Sequence, residues 1–220
     1  MGLLELIERG TLTGDAVAII GLAIEHGASA FVAAGPAGAG KSTLANALLA
    51  LLPTDAQVYV TAGARDRLDL GPVDAPTFLL INELSCHMSI YLCGRAAQRA
   101  FGLLQSGVRM LGTLHAMTAA EAVDVMCDEA DITRSDLSTP FVFAVVSARW
   151  HGERIERHVT ELGFLPPVGD VELLLRREGT AMQPVSAGLE ALATWAGLTA
   201  AELASEIARR SEQLAGLDAR

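Results

Sequence analysis

The sequence is poor in aromatic residues, has few cysteines and carries no excess of positive charge. Aromatics make up 5% of its 220 residues against 51% hydrophobic residues, so the core must be built mostly from Ala, Leu and Val. A net charge of −10 argues against broad, sequence-independent binding to nucleic acid or to an anionic membrane. Cys86, Cys93 and Cys127 form no C-x-x-C pair, and their odd number fits a reducing compartment better than a disulfide framework.

Long apolar runs are missing as well. None reaches the ~18 residues of a membrane-spanning helix, and the N-terminus has no basic region followed by an apolar one. We therefore expect a cytoplasmic protein that is not inserted in a membrane and does not bind nucleic acid. The length suits one domain with a sizeable core, with room for a small appendage.

The most informative stretch that is present fits G-x-x-x-x-G-K-[ST], the phosphate-binding P-loop. It consists of Gly35, Pro36, Ala37, Gly38, Ala39, Gly40, Lys41, Ser42 and Thr43. The apolar run 28–34 before it predicts a buried strand, and leucines at helical spacing after it predict a helix that ends at Pro53. These flanks disfavour the alternative, a glycine-rich turn with an incidental lysine. We predict that the loop binds ATP, with Lys41 on the β- and γ-phosphates and the Ser42 hydroxyl on Mg²⁺.

Strands and helices alternate along the rest of the chain. Strands are predicted at residues 57–61, 77–81 and 110–113, helices at 95–105 and 118–128, and a hairpin at 141–148 and 155–162 through His151-Gly152. This order predicts an α/β fold, a mostly parallel sheet with helices on both faces and a C-terminal hairpin plus helical tail. We expect residues 1–165 to form the ATP-binding domain, and 166–220 a mostly helical extension packed on it, with one strand at 171–175.

Two further strand ends carry polar residues. Glu83 follows the strand at 77–81, where a carboxylate can hold a metal-bound water or polarise the attacking one. The alternative is a carboxylate solvated where the strand meets a loop. His115 follows the strand at 110–113 and could sense the γ-phosphate, or could simply pack at a loop and bond to backbone. Because parallel strands share one carboxyl edge, we expect the P-loop, Glu83 and His115 to meet there.

In this order the motifs resemble the type II/IV secretion-system ATPases, the motors of pilus assembly, pilus retraction and tight-adherence export. The resemblance covers residues 3–162 and consists of five motifs in the family's order. Residues 4–12 are similar to the opening "LIxxGTL" motif, and residues 35–43 are similar to Walker A. Residues 82–83 are similar to the Gly-Glu of Walker B, 112–116 to the histidine box and 145–162 to the closing segment. It implies a RecA-like P-loop NTPase domain that uses ATP and Mg²⁺. Glu83 and His115 would be catalytic, and Ser42 and Glu83 would hold the metal. It also implies a homo-oligomer, a hexamer in this family, and a protein partner in a secretion-like machine.

The sequence departs from that family at the residues that activate water. Gly63, Ala64 and Arg67 stand at the three acidic positions after the second strand, unless Asp66 or Asp69 substitutes for them. Ser85 replaces an arginine, Val108 replaces the first histidine of the box, and residues 86–94 read as an insertion. We also expect the family's large N-terminal domain, which completes the nucleotide site, to be missing.

These departures predict a weak ATPase. The alternative is a non-hydrolysing, nucleotide-dependent binding or regulatory module, because losing one catalytic carboxylate can slow turnover by orders of magnitude while leaving affinity similar. A small-molecule kinase is disfavoured, since the loop at residues 63–72 offers only Arg65 and Arg67 for a lid over the acceptor.

Overall fold

The computed structural model describes residues 1–35, 38–71, 73–151 and 154–218. Its strands are β1 (Ser29–Ala33), β2 (Gln57–Val60), β3 (Thr77–Leu84), β4 (Arg109–Leu114), β5 (Phe141–His151), β6 (Arg154–Leu165), β7 (Glu172–Glu178) and β8 (Ala181–Pro184). Its helices are α1 (Leu3–Glu8), α2 (Gly14–Glu25), α3 (Lys41–Leu48), α4 (Gly94–Gly102), α5 (Ala119–Ala130), α6 (Ser186–Ala196) and α7 (Ala200–Asp218). The fold is therefore mixed α/β, as the sequence predicts.

The eight strands form one sheet in the order β2-β3-β4-β1-β5-β6-β7-β8. The five strands β1 to β5 pair in parallel, and β6, β7 and β8 continue the sheet in antiparallel fashion. The predicted hairpin is confirmed as β5 and β6, paired as far as His151 and Arg154. Its predicted turn residue Gly152 lies outside the described residues. Parallel strands need crossover connections, and the helices that make them cover both faces of this sheet.

Alternate residues of β1 face two separate cores. Ala30 and Val32 pack with residues of α2, α3, α6 and α7 on one face, whereas Phe31 and Ala33 pack with α4 and α5 on the other. Phe31 lies 6.2 Å from Phe141 of β5, measured between ring centroids. Because both faces of β1 are covered, its sequence is a continuous apolar run and not an alternating one.

Two helices begin at threonine caps. The Ala16 N–H donates to Thr13 Oγ1 at 3.2 Å at the start of α2. At α5 the Glu121 N–H donates to Thr118 Oγ1 at 3.1 Å. These bonds satisfy amides that have no partner within the helix, and they fix where each helix starts.

The segment after Pro166-Pro167 contributes two strands where the sequence predicts one. β7 covers the predicted strand and pairs with β6, while β8 pairs with β7 at the sheet edge. The run Met182-Gln183-Pro184 has little strand propensity, and a proline is tolerated only at such an edge. β8 therefore depends on its pairing with β7, which is not visible in local sequence.

Within the described ranges, no helix combines the length and the apolar character needed to cross a lipid bilayer.

Candidate functional site

The carboxyl ends of β1 and β4 form a crevice, because the chain leaves these neighbouring strands toward opposite faces of the sheet. α3, which follows β1, packs in one core, and α5, which follows β4, packs in the other. Open α/β sheets bind ligands at such a switch point. His115 stands just past the end of β4, and its Nδ1 lies 3.1 Å from the carbonyl oxygen of Gly35, just past the end of β1.

A glycine-rich turn connects β1 to α3. Gly38 and Gly40 have φ values of +77° and +100°, in the left-handed region that glycine adopts at little cost. α3 begins at Lys41 directly after this turn, and Gly40 has no side chain to cap the first amides. Those amides therefore remain available to an anion, and the helix dipole adds partial positive charge. The predicted loop residues Pro36 and Ala37 lie outside the described residues.

The side chain of Lys41 is buried beside the crevice. The residue is 7% exposed, and its Nζ lies 3.6 Å from Glu83 Oε2 and 3.3 Å from His115 Nε2. A lysine is rarely buried without a partner, because desolvating its charge is costly. Here the partner is Glu83, so Lys41 rests in an ion pair.

Glu83 reaches the crevice from β3, two strands away from β1. β3 runs beyond its predicted end, and its register with β4 shifts between Ile81 and Leu84, which is the signature of a bulge. A bulge redirects the side chains next to it. The Glu83 side chain is 12% exposed, and its second oxygen, Oε1, lies 3.2 Å from His115 Nε2. Lys41, Glu83 and His115 thus meet in one cluster, as the sequence predicts.

The ring of His115 joins the three parts of this cluster. Its Nδ1 lies 3.1 Å from the Gly35 carbonyl oxygen, which only accepts, and 3.4 Å from the Lys41 ammonium, which only donates. Nε2 faces both the Lys41 ammonium and the Glu83 carboxylate. The histidine therefore connects Lys41 and Glu83 to the backbone at the start of the glycine-rich turn.

A cleft of about 1070 Å³ opens in front of this cluster. Its walls are the phosphate loop with the start of α3, the ends of β3 and β4, the β5–β6 hairpin and the loop after α1. The lining residues include Leu6, Arg9, Thr11, Gly38, Ala39, Gly40, Lys41, Ser42, Thr43, Glu83, Tyr91, His115, Val146, Ile155, Glu156, Arg157 and His158. Every described residue of the predicted site except Gly35 therefore faces one cavity, which is large enough for a nucleotide.

Arg157 is a cleft residue that the sequence analysis missed. It lies on β6, and its Nε and Nη2 donate to the Gly38 carbonyl oxygen at 3.3 and 3.2 Å. Arg134 and Arg149, on neighbouring loop and hairpin segments, do not take this position. Arg134 donates to Gly169 far along the chain, Arg149 lines a separate cavity, and the side chain of Arg154 lies outside the described residues.

The turn after β2 has no room for the family's acid at position 63. Gly63 has φ +87°, and a Cβ built there would lie 2.5 Å from the Ser89 carbonyl oxygen and 2.6 Å from the Ile90 carbonyl carbon. These are backbone atoms, which cannot swing aside. The Ala64 N–H donates to the same Ser89 oxygen at 3.1 Å. The inserted segment 86–94 therefore occupies the space that a longer side chain would need.

Asp66 does not replace the missing acid, because its oxygens are engaged in holding the turn. It accepts hydrogen bonds from Tyr59 Oη at 3.0 Å, from the Ala62 N–H at 2.6 Å and from the Leu68 N–H at 2.9 Å. Burial pushes the pKa of Asp66 upward, but these bonds and the charge of Arg99 hold the pKa below its ordinary value. Neither Asp66 nor the exposed Asp69 is among the cleft-lining residues.

The inserted segment also stabilises the end of β3. The Leu92 N–H donates to the Glu83 carbonyl oxygen and the Ser85 N–H donates to the Leu92 oxygen, both at 3.0 Å. His87, within the insertion, lies edge-on to His115 at 6.5 Å between ring centroids. The end of β3 is therefore held both by β4 and by the segment 86–94.

Comparisons with known proteins give a weak structural likeness. No protein-family model matches the chain, and no curated protein matches it. Among solved structures, the VirB11 ATPase of the Brucella suis type IV secretion system, crystallised with sulphate, is similar at a TM-score of 0.43 and 20% identity. The likeness covers 72% of this chain and 54% of the other, so this chain spans about half of that protein. A likeness at this score supports no conclusion about the present chain, whose site must be judged on its own geometry.

Proposed function

We propose that this chain is a RecA-like P-loop domain that binds ATP with Mg²⁺ and hydrolyses it slowly. The observation that carries the proposal is the convergence of Lys41, Glu83 and His115 on a glycine-rich turn at the switch point of the sheet. These groups come from three separate strand ends. If the glycine-rich turn were incidental, nothing would require a lysine, a glutamate and a histidine to meet beside it.

The turn offers the donors that a polyphosphate needs. The first amides of α3 have no partner within the helix, and the loop glycines let the backbone approach a ligand closely. The Lys41 ammonium can leave Glu83 for a phosphate because the two are 3.6 Å apart, longer than the 2.7–2.9 Å typical of a charge-assisted bond. ATP binding then exchanges one anionic partner of Lys41 for another.

The oxygen donors beside the loop suit Mg²⁺. This ion prefers hydroxyl, carboxylate and phosphate oxygens and keeps several waters. The exposed Ser42 hydroxyl, in the first turn of α3, and the Glu83 carboxylate are the groups that would hold it. When bound, Mg²⁺ neutralises charge on the β- and γ-phosphates. Glu83 would hold the metal or the attacking water, and His115 would hydrogen-bond the terminal phosphate.

Slow hydrolysis follows from the poor supply of carboxylates. Glu83 is the acid of the Lys41 cluster, and both of its oxygens already have cationic or imidazole partners. Gly63 is sterically closed to an acid, and Asp66 is held by backbone donors. Of the two described carboxylates that line the cleft, Glu83 and Glu156, only Glu83 contacts Lys41, so it would have to serve both metal and water.

The engagement of both Glu83 oxygens also favours the second candidate, a nucleotide-dependent module without turnover. In that case the exchange of Lys41 from Glu83 to a phosphate is the output, because it releases Glu83 and His115 to change partners. The distinguishing property is turnover, since both candidates bind ATP.

Steady-state phosphate release and ATP binding of the wild type, Lys41→Ala and Glu83→Gln separate the candidates. A weak ATPase requires slow wild-type turnover that disappears in both variants. A module requires binding that is lost only in Lys41→Ala, with no turnover in any of the three. Wild-type protein that is folded and binds no nucleotide at millimolar concentrations refutes both.

We also propose that copies of this chain assemble into a ring, with a hexamer as the expected size, and act on a partner in a secretion-like machine. Molecular mass in solution with and without ATP and Mg²⁺ tests the assembly. A monomer under both conditions contradicts it.

A further inference from the structure

Two cations, Lys41 and Arg157, stand beside the loop, and within the described part of the chain only Lys41 has an ion-pair partner. Lys41 pairs with Glu83. The ion pairs among the described residues do not include Arg157, whose guanidinium contacts the neutral Gly38 carbonyl oxygen. A half-buried arginine commonly seeks a carboxylate, so an unneutralised guanidinium in a cleft marks a place where an anion is stable.

The position of Arg157 is set by rigid structure. Its strand β6 pairs with β5 at this point, where Arg157 lies opposite Ala148, and two residues later the Val159 N–H donates to the Thr11 oxygen at 2.8 Å. The aliphatic part of Arg157 packs over the loop, with Cδ 3.0 Å from where a Cβ of Gly40 would stand. A side chain fixed in this way loses little conformational entropy when it binds a ligand.

Arg157 also has donors to spare. A guanidinium carries five N–H groups, and the Gly38 oxygen engages one on Nε and one on Nη2. Three N–H groups remain for an anion bound in the loop. The planar fork of arginine matches phosphate oxygens better than a lysine ammonium does.

We infer that Arg157 is a second phosphate-binding residue, which receives the polyphosphate of the nucleotide within the same chain while Lys41 is still paired with Glu83. The inference rests on the proposed function and deepens it. Arg157 supplies from β6 a positive charge that does not have to be released from an ion pair first. The site is thus completed by a residue of its own sheet.

Calorimetric titration with ATP, and with inorganic tripolyphosphate as a probe without a base, tests this role. Arg157→Gln keeps a donor for the Gly38 oxygen but removes the charge. We expect it to weaken both ligands by about 10- to 100-fold, the range for a hydrogen bond to a charged group. Arg157→Lys keeps the charge and should recover part of the affinity. The matched control is Arg176→Gln, which removes an exposed arginine on β7 outside the cleft.

The outcomes separate this inference from the function on which it rests. Folded wild-type protein that binds neither ligand overturns both. Wild-type binding with equal affinities for Arg157→Gln and Arg176→Gln overturns only the role of Arg157. Equal losses in Arg157→Gln and Arg157→Lys also overturn it, because a loss independent of charge indicates mechanical support of the loop. The inference is supported if Arg157→Gln loses affinity for both ligands, Arg157→Lys recovers part of it, and the melting temperature of the ligand-free protein is unchanged.

Discussion

Replacing Glu83 by glutamine should tighten the binding of metal-free ATP while making the ligand-free protein less stable. In the resting site Glu83 competes with the phosphates for Lys41, and its negative charge also repels them. Glutamine keeps the size and shape of the side chain and removes both effects. The cost is that Lys41, with only 8% of its side chain exposed, loses its counter-charge.

The size of the effect follows from the separation of the charges. Opposite unit charges at the 3.6 Å between Lys41 Nζ and Glu83 Oε2 attract by about 5 kcal/mol at an effective dielectric constant of ~20. Solvent at the mouth of the cleft and the amide dipole of the new glutamine make the change in binding free energy smaller than this attraction. We therefore expect a gain of about 1–2 kcal/mol in binding, or about 5- to 30-fold in Kd. The free energy of unfolding should fall by about 1–3 kcal/mol.

Calorimetry in a chelating buffer measures the first quantity, and urea unfolding measures the second. Glu190→Gln, an exposed change on α6, is the control for the loss of one negative charge. Weaker or unchanged binding of metal-free ATP by Glu83→Gln, relative to that control, would refute the idea that Lys41 rests in a competing ion pair. With Mg²⁺ present the gain in ATP affinity of Glu83→Gln should shrink, because the wild-type Glu83 carboxylate then has a cation to hold.

Three further changes test the surrounding structure. Gly63→Glu restores the acid found at this position in the secretion ATPases, but the new side chain must displace the Ser89 backbone. We therefore expect the free energy of unfolding to fall by more than about 2 kcal/mol, with no gain in phosphate release. Faster release at unchanged stability would contradict this. Asp66→Asn should destabilise the protein at neutral pH. The pKa of Asp66 lies below its ordinary 3.8, so its charge stabilises the wild type above about pH 4. The difference in free energy of unfolding between wild type and Asp66→Asn, measured in urea, should therefore shrink as the pH falls further. A difference independent of pH would show that the charge is irrelevant. Thr118→Ala should cost about 1 kcal/mol by removing the cap of α5, and an unchanged melting curve would argue against the cap.

Much of the fold can be predicted because it is encoded locally. The continuous apolar run of β1 requires a strand covered on both faces, and the capping residues Thr13 and Thr118 fix where α2 and α5 begin. The meeting of Lys41, Glu83 and His115 is also predictable, since parallel strands deliver their ends to one edge. These are consequences of periodicity, capping and sheet geometry.

The remaining features depend on contacts between distant segments. Arg157 reaches the loop because of the position of β6 beyond β5, which no local pattern specifies. The closure of position 63 depends on an insertion more than twenty residues later in the sequence. The resting ion pair of Lys41 results from a bulge in β3 and burial in the folded chain. Sequence can name the groups at the site, but the folded structure decides their partners.

The most direct test of the central claim follows the glycine amides of the phosphate loop by nuclear magnetic resonance. Protein labelled with ¹⁵N-glycine is titrated with ATP and Mg²⁺, in the wild type and in Lys41→Ala. If the loop binds the polyphosphate, the amide signals of Gly38 and Gly40 shift strongly in the wild type and not in the variant, while those of Gly107 and Gly197, in turns that do not line the cleft, stay in place. Loop signals that do not move at saturating nucleotide, or that move equally in Lys41→Ala, would contradict the account.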